Sequence, residues 1–198
     1  MSTLQSAAAL FGTATLRAVV LTDEHVPALQ RFFERNPEYF IAVNGQPPEH
    51  DEAHAALHAT LPEGWSFAWK RIIGFVDPAG SLVGMGDVVA DLMAPGVWHI
   101  GLFIVSTARH GSGVAQTLYQ QLERFASDSG ARWLRLGVVR GNARAERFWE
   151  RCGFVEVRMR RAVAMGKRVN DLRVMAKPLA GGTLGEYLSL VPRDRPGS

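Results

Sequence analysis

Apolar positions along this chain follow two rhythms, alternation over short runs and three-to-four spacing over longer ones, which predict strands and helices in mixed order. Thr15 to Leu21 reads as a first strand, and Thr22-Asp23 supply capping side chains for a helix to about Glu34. Asn36 to Pro48 carries several turn formers, and Asp51-Glu52 then open an Ala-rich helix to about Thr60. Strands over Ser66 to Asp77, Leu82 to Leu92 and Val97 to Val105 form an antiparallel meander, broken at Asp77-Pro78-Ala79-Gly80 and at Pro95-Gly96. Val114, Leu118, Leu122 and Phe125 mark an amphipathic helix from Gly113 to Ser129, closed by Gly130. Trp133 to Val139 is the next strand, and parallel pairing with Val97 to Val105 would make a right-handed crossover. Asn142 caps a helix with Ala145, Phe148, Trp149 and Cys152 on one side, and Val155 to Val163 with about Asn170 to Lys177 closes as a hairpin. In the Gly/Pro-rich tail, Thr183 and Glu186 have capping-box spacing for one or two turns.

Composition narrows the classes. A chain of 198 residues, 47% hydrophobic and 21% charged, has material for one core, expected as a single domain over 13–179 with 1–12 and 180–198 as terminal extensions. A formal charge of only +3 does not imply a nucleic-acid partner. The first twelve residues lack the charged and hydrophobic regions of a signal peptide. Asp87, Asp91, Pro95, Gly96 and His99 interrupt the apolar region from Leu82 to Val105, so no membrane span is expected there. The lone Cys152 can form no internal disulfide, which fits the expected cytoplasmic location.

The chemically informative stretch is Ile104 to Leu118, IVSTARHGSGVAQTL, where a strand runs through a glycine-containing loop directly onto a helix. Amide N–H groups and the positive end of a helix favour a phosphate there, and Gly111 and Gly113 let the backbone come close. A Walker loop fails for want of Gly-Lys-Ser/Thr, and the dinucleotide fingerprint fails because Gln116 stands where its third glycine belongs.

With these residues the chain resembles the GNAT superfamily of N-acetyltransferases, whose pyrophosphate loop reads Gln/Arg-x-x-Gly-x-Gly/Ala. His110-Gly111-Ser112-Gly113-Val114-Ala115 matches it except at the first position, where His110 stands with Arg109 before it. The family's second signature appears downstream as NARAERFWERCGF, Asn142 to Phe154. The resemblance implies an α/β (α+β) fold: a mixed, mostly antiparallel twisted sheet of about seven strands, splayed between the fourth and fifth, flanked by about four helices. It implies acetyl-CoA as acyl donor, with the pantetheine arm pairing along Phe103, Ile104 and Val105 like an added strand. It assigns the Phe103 amide to the thioester oxyanion, the pyrophosphate to Arg109, His110, Gly111, Ser112, Gly113, Val114 and Ala115, and a cofactor border to Asn142, Ala145, Phe148 and Trp149.

The implied reaction moves an acetyl or other acyl group to a primary amine, and an amine with a lysine-like pKa of about 10 needs a base. Where many relatives carry a glutamate this chain has His99, which is therefore the candidate base; simple alternation would put His99, Gly101 and Phe103 on one face. Where relatives carry an acid tyrosine this chain has Trp149, and Tyr39, Tyr119 and Cys152 are the other proton donors. Glu38, Tyr39, Asp51 and Glu52 fall where relatives build the acceptor wall. His50, His54 and His58 repeat every four residues, but a polar helix face explains them and no metal site is expected. Arg158, Arg160, Arg161, Lys167, Arg168 and Arg173 read as a solvated hairpin face. A catalytically silent acyl-CoA-binding module is the alternative function; a nucleotide or nucleic-acid binder is a third. The acceptor, a small molecule or a peptide amine, is not separable from sequence. Relatives often form a homodimer through the sheet edge or the C-terminal strands, and the oligomeric state stays open.

Overall fold

The computed structural model describes residues 3–13 and 15–197; Met1, Ser2, Ala14 and Ser198 lie outside it. Helix α1 (Thr3–Ser6) leads into strands β1 (Ala9–Gly12) and β2 (Arg17–Val20). Helices α2 (Val26–Arg35), α3 (Glu38–Asn44) and α4 (Glu52–His58) precede the meander β3 (Trp69–Val76), β4 (Leu82–Ala90) and β5 (Val97–Val105). Then come α5 (Val114–Asp128), β6 (Trp133–Val139), α6 (Ala143–Arg151), β7 (Val155–Met165), β8 (Arg168–Pro178) and α7 (Leu184–Leu190). One eight-stranded sheet runs β1-β2-β3-β4-β5-β6-β8-β7, antiparallel except for the β5–β6 pair.

The sheet divides the core. Trp98, Ile100, Leu134 and Leu136 pack with Leu118, Leu122 and Trp149 beneath α5 and α6. On the other face Met85 and Ile104 pack with Leu29, Phe33 and Phe40 of α2 and α3. A third cluster joins Val97, Trp133, Val174 and Ala176 to Tyr187 and Val191.

Three elements differ from the sequence expectation. α1 and β1 lie in the expected N-terminal extension, where four residues each are too few for a periodic signal; Phe11 stacks on Phe125 at 4.7 Å and ties β1 to α5. α3 lies in the segment expected to be turns, because Pro37 is its N-cap and Gly45, at φ 76°, its left-handed C-cap. The turn formers there are helix ends.

The segment after residue 179, expected as an extension, is packed into the molecule. The Thr183–Glu186 capping box forms, with Glu186 N–H to Thr183 Oγ1 at 3.2 Å and Thr183 N–H to Glu186 Oε2 at 2.9 Å. Beyond α7, Asp194 is wholly buried and accepts from Arg135 Nε at 2.6 Å and Nη2 at 3.1 Å, and from the Tyr187 hydroxyl. Burial pushes the Asp194 carboxyl up, but Arg135 and Tyr187 more than offset it and hold it below its ordinary value. No helix among the described residues is long and apolar enough to cross a membrane.

Asp194→Ala leaves the Arg135 guanidinium buried without its counter-charge and is expected to lower unfolding free energy in urea by about 3–5 kcal/mol, against about 1 kcal/mol for Tyr187→Phe. Because the folded Asp194 pKa lies below the unfolded one, this stabilisation is full above about pH 4 and is lost as pH falls through the folded value.

Candidate active site

The strand–loop–helix segment forms as expected. After β5, a short 3-10 turn (Thr107–Arg109) leads to Gly111 at φ 78° and Gly113 at φ 82°, with open space where a side chain would stand at either. Gly113 is the N-cap of α5 and offers no side-chain cap; the first helical bond is Thr117 N–H to Gly113 C=O at 3.2 Å. The N–H groups of Val114, Ala115 and Gln116 therefore precede the first intrahelical bond, at the positive end of a 15-residue helix. Such a terminus suits a phosphate.

Neighbouring side chains hold this loop in place. Asn36 Oδ1 accepts from Thr107 N–H at 2.6 Å, and Glu38 accepts from the Thr107 hydroxyl at 2.7 Å. That hydrogen bond holds the Glu38 carboxyl below its usual range. His110 Nε2 lies 3.0 Å from the Val105 carbonyl, so the ring donates inward and staples the loop to the end of β5. Arg109 faces Asp77 at 3.9 Å and remains half-exposed.

Next to the loop, the sheet opens. Parallel pairing of β5 with β6 runs from Val97↔Trp133 to Ile100↔Leu136 and stops, although β5 continues to Val105 and β6 to Val139. A cavity of roughly 240 Å³ fills the gap, lined by His99 to Phe103, Arg135 to Val139, Asn142, Ala145 and Trp149, and beyond them by Tyr39, Trp65 and Arg160. The Asn142 side chain caps α6, accepting from Ala145 N–H at 3.2 Å. Phe103 packs against that helix, with its ring 6.1 Å from Phe148 and 5.6 Å from Trp149.

A β-bulge corrects the expected alternation. Val88 pairs with Ile100 and Asp87 with Leu102, so Gly101 is the extra residue. Before it, Trp98 and Ile100 face α5 and α6; after it, Phe103 and Val105 do. His99 therefore lies on the opposite face from Phe103, beside Arg135. Its Nδ1 lies 3.1 Å from the Arg135 carbonyl and 3.3 Å from Arg135 Nη1. The carbonyl can only accept and the guanidinium can only donate, so the two contacts favour opposite tautomers; the shorter one, to the carbonyl, favours Nδ1–H with Nε2 as the acceptor. Burial, helped by the Arg135 charge, lowers the His99 pKa to about 3.

The remaining sequence candidates are dispersed. Tyr39 lines the cavity, and burial raises its pKa, so the phenol keeps its proton. Tyr119 and Cys152 border a different depression with Glu123 and Lys177; burial lifts the thiol to about 11. Glu38, Asp51 and Glu52 do not line the cavity: Glu38 holds the loop, Asp51 is exposed, and Glu52 accepts from Glu49 N–H at 3.1 Å. His58 Nε2 contacts Asp23 at 2.8 Å. On the hairpin, Arg173 is held by Glu146, Glu150 and Glu156 at 2.7–3.3 Å, while Arg160 reaches the cavity rather than the expected solvated face. Register shifts between Glu156 and Arg158 and between Arg160 and Val163 break the hairpin's alternation. Trp65 and Arg135 line the cavity without having been singled out in the sequence, although Arg135 is the lone charge in the otherwise apolar strand WLRLGVV.

Solved structures share this architecture. One is a probable GNAT-family acetyltransferase from Chromobacterium violaceum, with TM-score 0.70 and 19% identity, covering 86% of each chain. Another is an acetyltransferase from Thermus thermophilus, with TM-score 0.64 and 23% identity over 85% of this chain and 100% of the other. A third is spermidine N-acetyltransferase from Vibrio cholerae in complex with CoA and spermine, with TM-score 0.64 and 17% identity over 84% and 96%. At these identities the likeness establishes the fold. No curated protein matches the sequence. The family model described as Acetyltransferase (GNAT) family matches residues 29–154, from α2 through the loop and both strands of the opening to the end of α6, and the chain belongs to that family.

Proposed function

We propose that the protein transfers an acetyl group from acetyl-CoA to a primary amine of a small molecule or peptide by direct attack. The observation that carries this reading is the opening of β5 from β6 beside an uncapped helix N-terminus. The fit is physical: three free N–H groups and two left-handed glycines can take the pyrophosphate, and the unpaired stretch of β5 can hydrogen-bond an extended pantetheine arm. Asn142, Ala145 and Trp149 border the arm from α6, with Phe148 behind. His110 contributes by fixing the loop, since its Nε2 is engaged by Val105, and the backbone supplies the contacts.

The amine lone pair attacks the thioester carbonyl, a C–N bond forms, and the Phe103 amide stabilises the oxyanion. The C–S bond then breaks, the thiol leaves, and one proton is lost from nitrogen. With a pKa near 3, His99 is uncharged at neutral pH, its one ring proton on Nδ1. Its Nε2 accepts a hydrogen bond from the incoming amine, which must arrive unprotonated, and the proton that nitrogen loses is relayed, directly or through water, to the departing sulfur, which leaves as the thiol. Tyr39 replaces the missing acid: of the chain's three tyrosines it alone borders the cavity, and its phenol is protonated.

Calorimetry with acetyl-CoA, followed by thiol release over amino acids, polyamines, aminoglycosides and peptides, tests the reading. Acceptor-dependent release is expected, lowered about 10²-fold or more by His99→Ala and about tenfold or more by Tyr39→Phe. Binding without release would leave the alternative of a silent acyl-CoA-binding module; absence of binding would remove the loop assignment. The pH profile is a separate check. Because His99 stays neutral from about pH 3 upward, kcat/KM should rise with pH along the acceptor's own ionisation, with no inflection near 6.5. An inflection near 6.5 that disappears in His99→Gln would show instead that His99 titrates as an ordinary imidazole.

A further inference from the structure

The cavity between β5 and β6 is charged with one sign. Its ionisable lining consists of Tyr39, His99, Arg135 and Arg160, and no carboxylate borders it. Tyr39 and His99 are neutral at pH 7, and Arg135 is neutralised by Asp194. Asp87, beyond Gly101, faces Lys70 at 3.3 Å. Arg160 is different. Its backbone pairs with Leu172 in the hairpin, but its side chain is half-buried, borders the cavity, and has no hydrogen bond, ion pair or ring contact among the described residues.

The surroundings add positive charge. Arg193 stacks 4.3 Å over Trp65, another cavity residue, and Arg158 donates to the Arg193 carbonyl. Burial first, and then the guanidinium groups of Arg135, Arg160 and Arg158, opposed by Asp194, lower the Arg193 pKa. Holding an unpaired guanidinium partly out of water beside other cations is unfavourable. An anion entering with the substrate would relieve that.

We propose that Arg160 anchors a carboxylate carried by the acceptor, so that the amine acetylated by this protein is a free amino acid or a similar small amino-carboxylate. The inference rests on the transfer reaction proposed above. A guanidinium offers a planar fork of N–H donors that matches a carboxylate bidentately, which a solvated lysine would not. A polyamine would instead bring further positive charge to a lining without carboxylates.

The test uses the full-length wild-type protein with acetyl-CoA, following thiol release for the twenty amino acids, the carboxamide of each, and spermidine. Release is expected with at least one amino acid, with kcat/KM about 10- to 100-fold lower for its carboxamide and little for spermidine. Arg160→Met should raise KM for that acid about 10- to 100-fold, change kcat little, and erase the acid-over-amide preference, while Arg160→Lys retains part of it. Acetyl-CoA affinity, measured by calorimetry, should be unchanged in both variants, which also reports that they fold. A carboxamide or spermidine used as well as any amino acid overturns the inference and leaves the transfer reaction standing. An acid preference that survives Arg160→Met in a variant that still binds acetyl-CoA overturns the assignment to Arg160. Acetyl-CoA binding with no release for any probe removes the transfer reaction and this inference together.

Discussion

Strands that lie side by side in a sheet normally pair along their whole length, because each unpaired buried backbone group costs free energy. Here β5 and β6 pair over four residues and then part, and the geometry of the candidate site depends on that parting. The open stretch supplies the strand edge, the cavity and the close approach to the α5 terminus at once. Packing holds the gap apart. On one face Phe103 is wedged against Phe148 and Trp149 of α6, and on the other the Arg135–Asp194 pair fixes β6 to the C-terminal segment.

This gives the C-terminal segment a place in the site. Asp194 lies 59 positions from Arg135, yet it neutralises the guanidinium that stands 3.3 Å from the His99 ring. The candidate proton acceptor, the strand that carries Arg135 and the tail are therefore one electrostatic unit. Its ion pair and tyrosine hydrogen bond are buried, so the coupling is weakly screened by salt. The bulge at Gly101 adds the other half of the geometry by turning Phe103 toward α6 and leaving His99 toward Arg135. A single extra residue thereby sends Phe103 and His99 to opposite faces of one strand.

Much of the order of elements was readable because local signals were strong and repeated. The apolar stripe of α5, the cap at Asn142, the breaks at Asp77-Pro78 and Pro95-Gly96, and the Thr183–Glu186 box all mark the elements they predict. Where local signals were short or ambiguous, the reading failed. β1 has four residues, and α3 is bounded by Pro37 and Gly45, which suit a helix end as well as a turn. Of the four residues that the resemblance set on the acceptor wall, Tyr39 borders the cavity, whereas Glu38 is engaged by Thr107, Glu52 by the Glu49 amide, and Asp51 is exposed.

The sequence by itself determined the strand–loop–helix segment at residues 104–118, the downstream helix signature and the family they mark, since these depend on backbone conformation and spacing within short stretches. Tertiary structure alone decided which charges meet. Arg135, Arg160 and Asp194 come from strands and a tail far apart in the chain; bulges in β5 and in the β7–β8 hairpin reset the alternation that would otherwise have placed His99 and Arg160. A side-chain period of two survives only as long as the pairing is regular, so one inserted residue sends every later side chain to the other face, and only the folded sheet records where that happens.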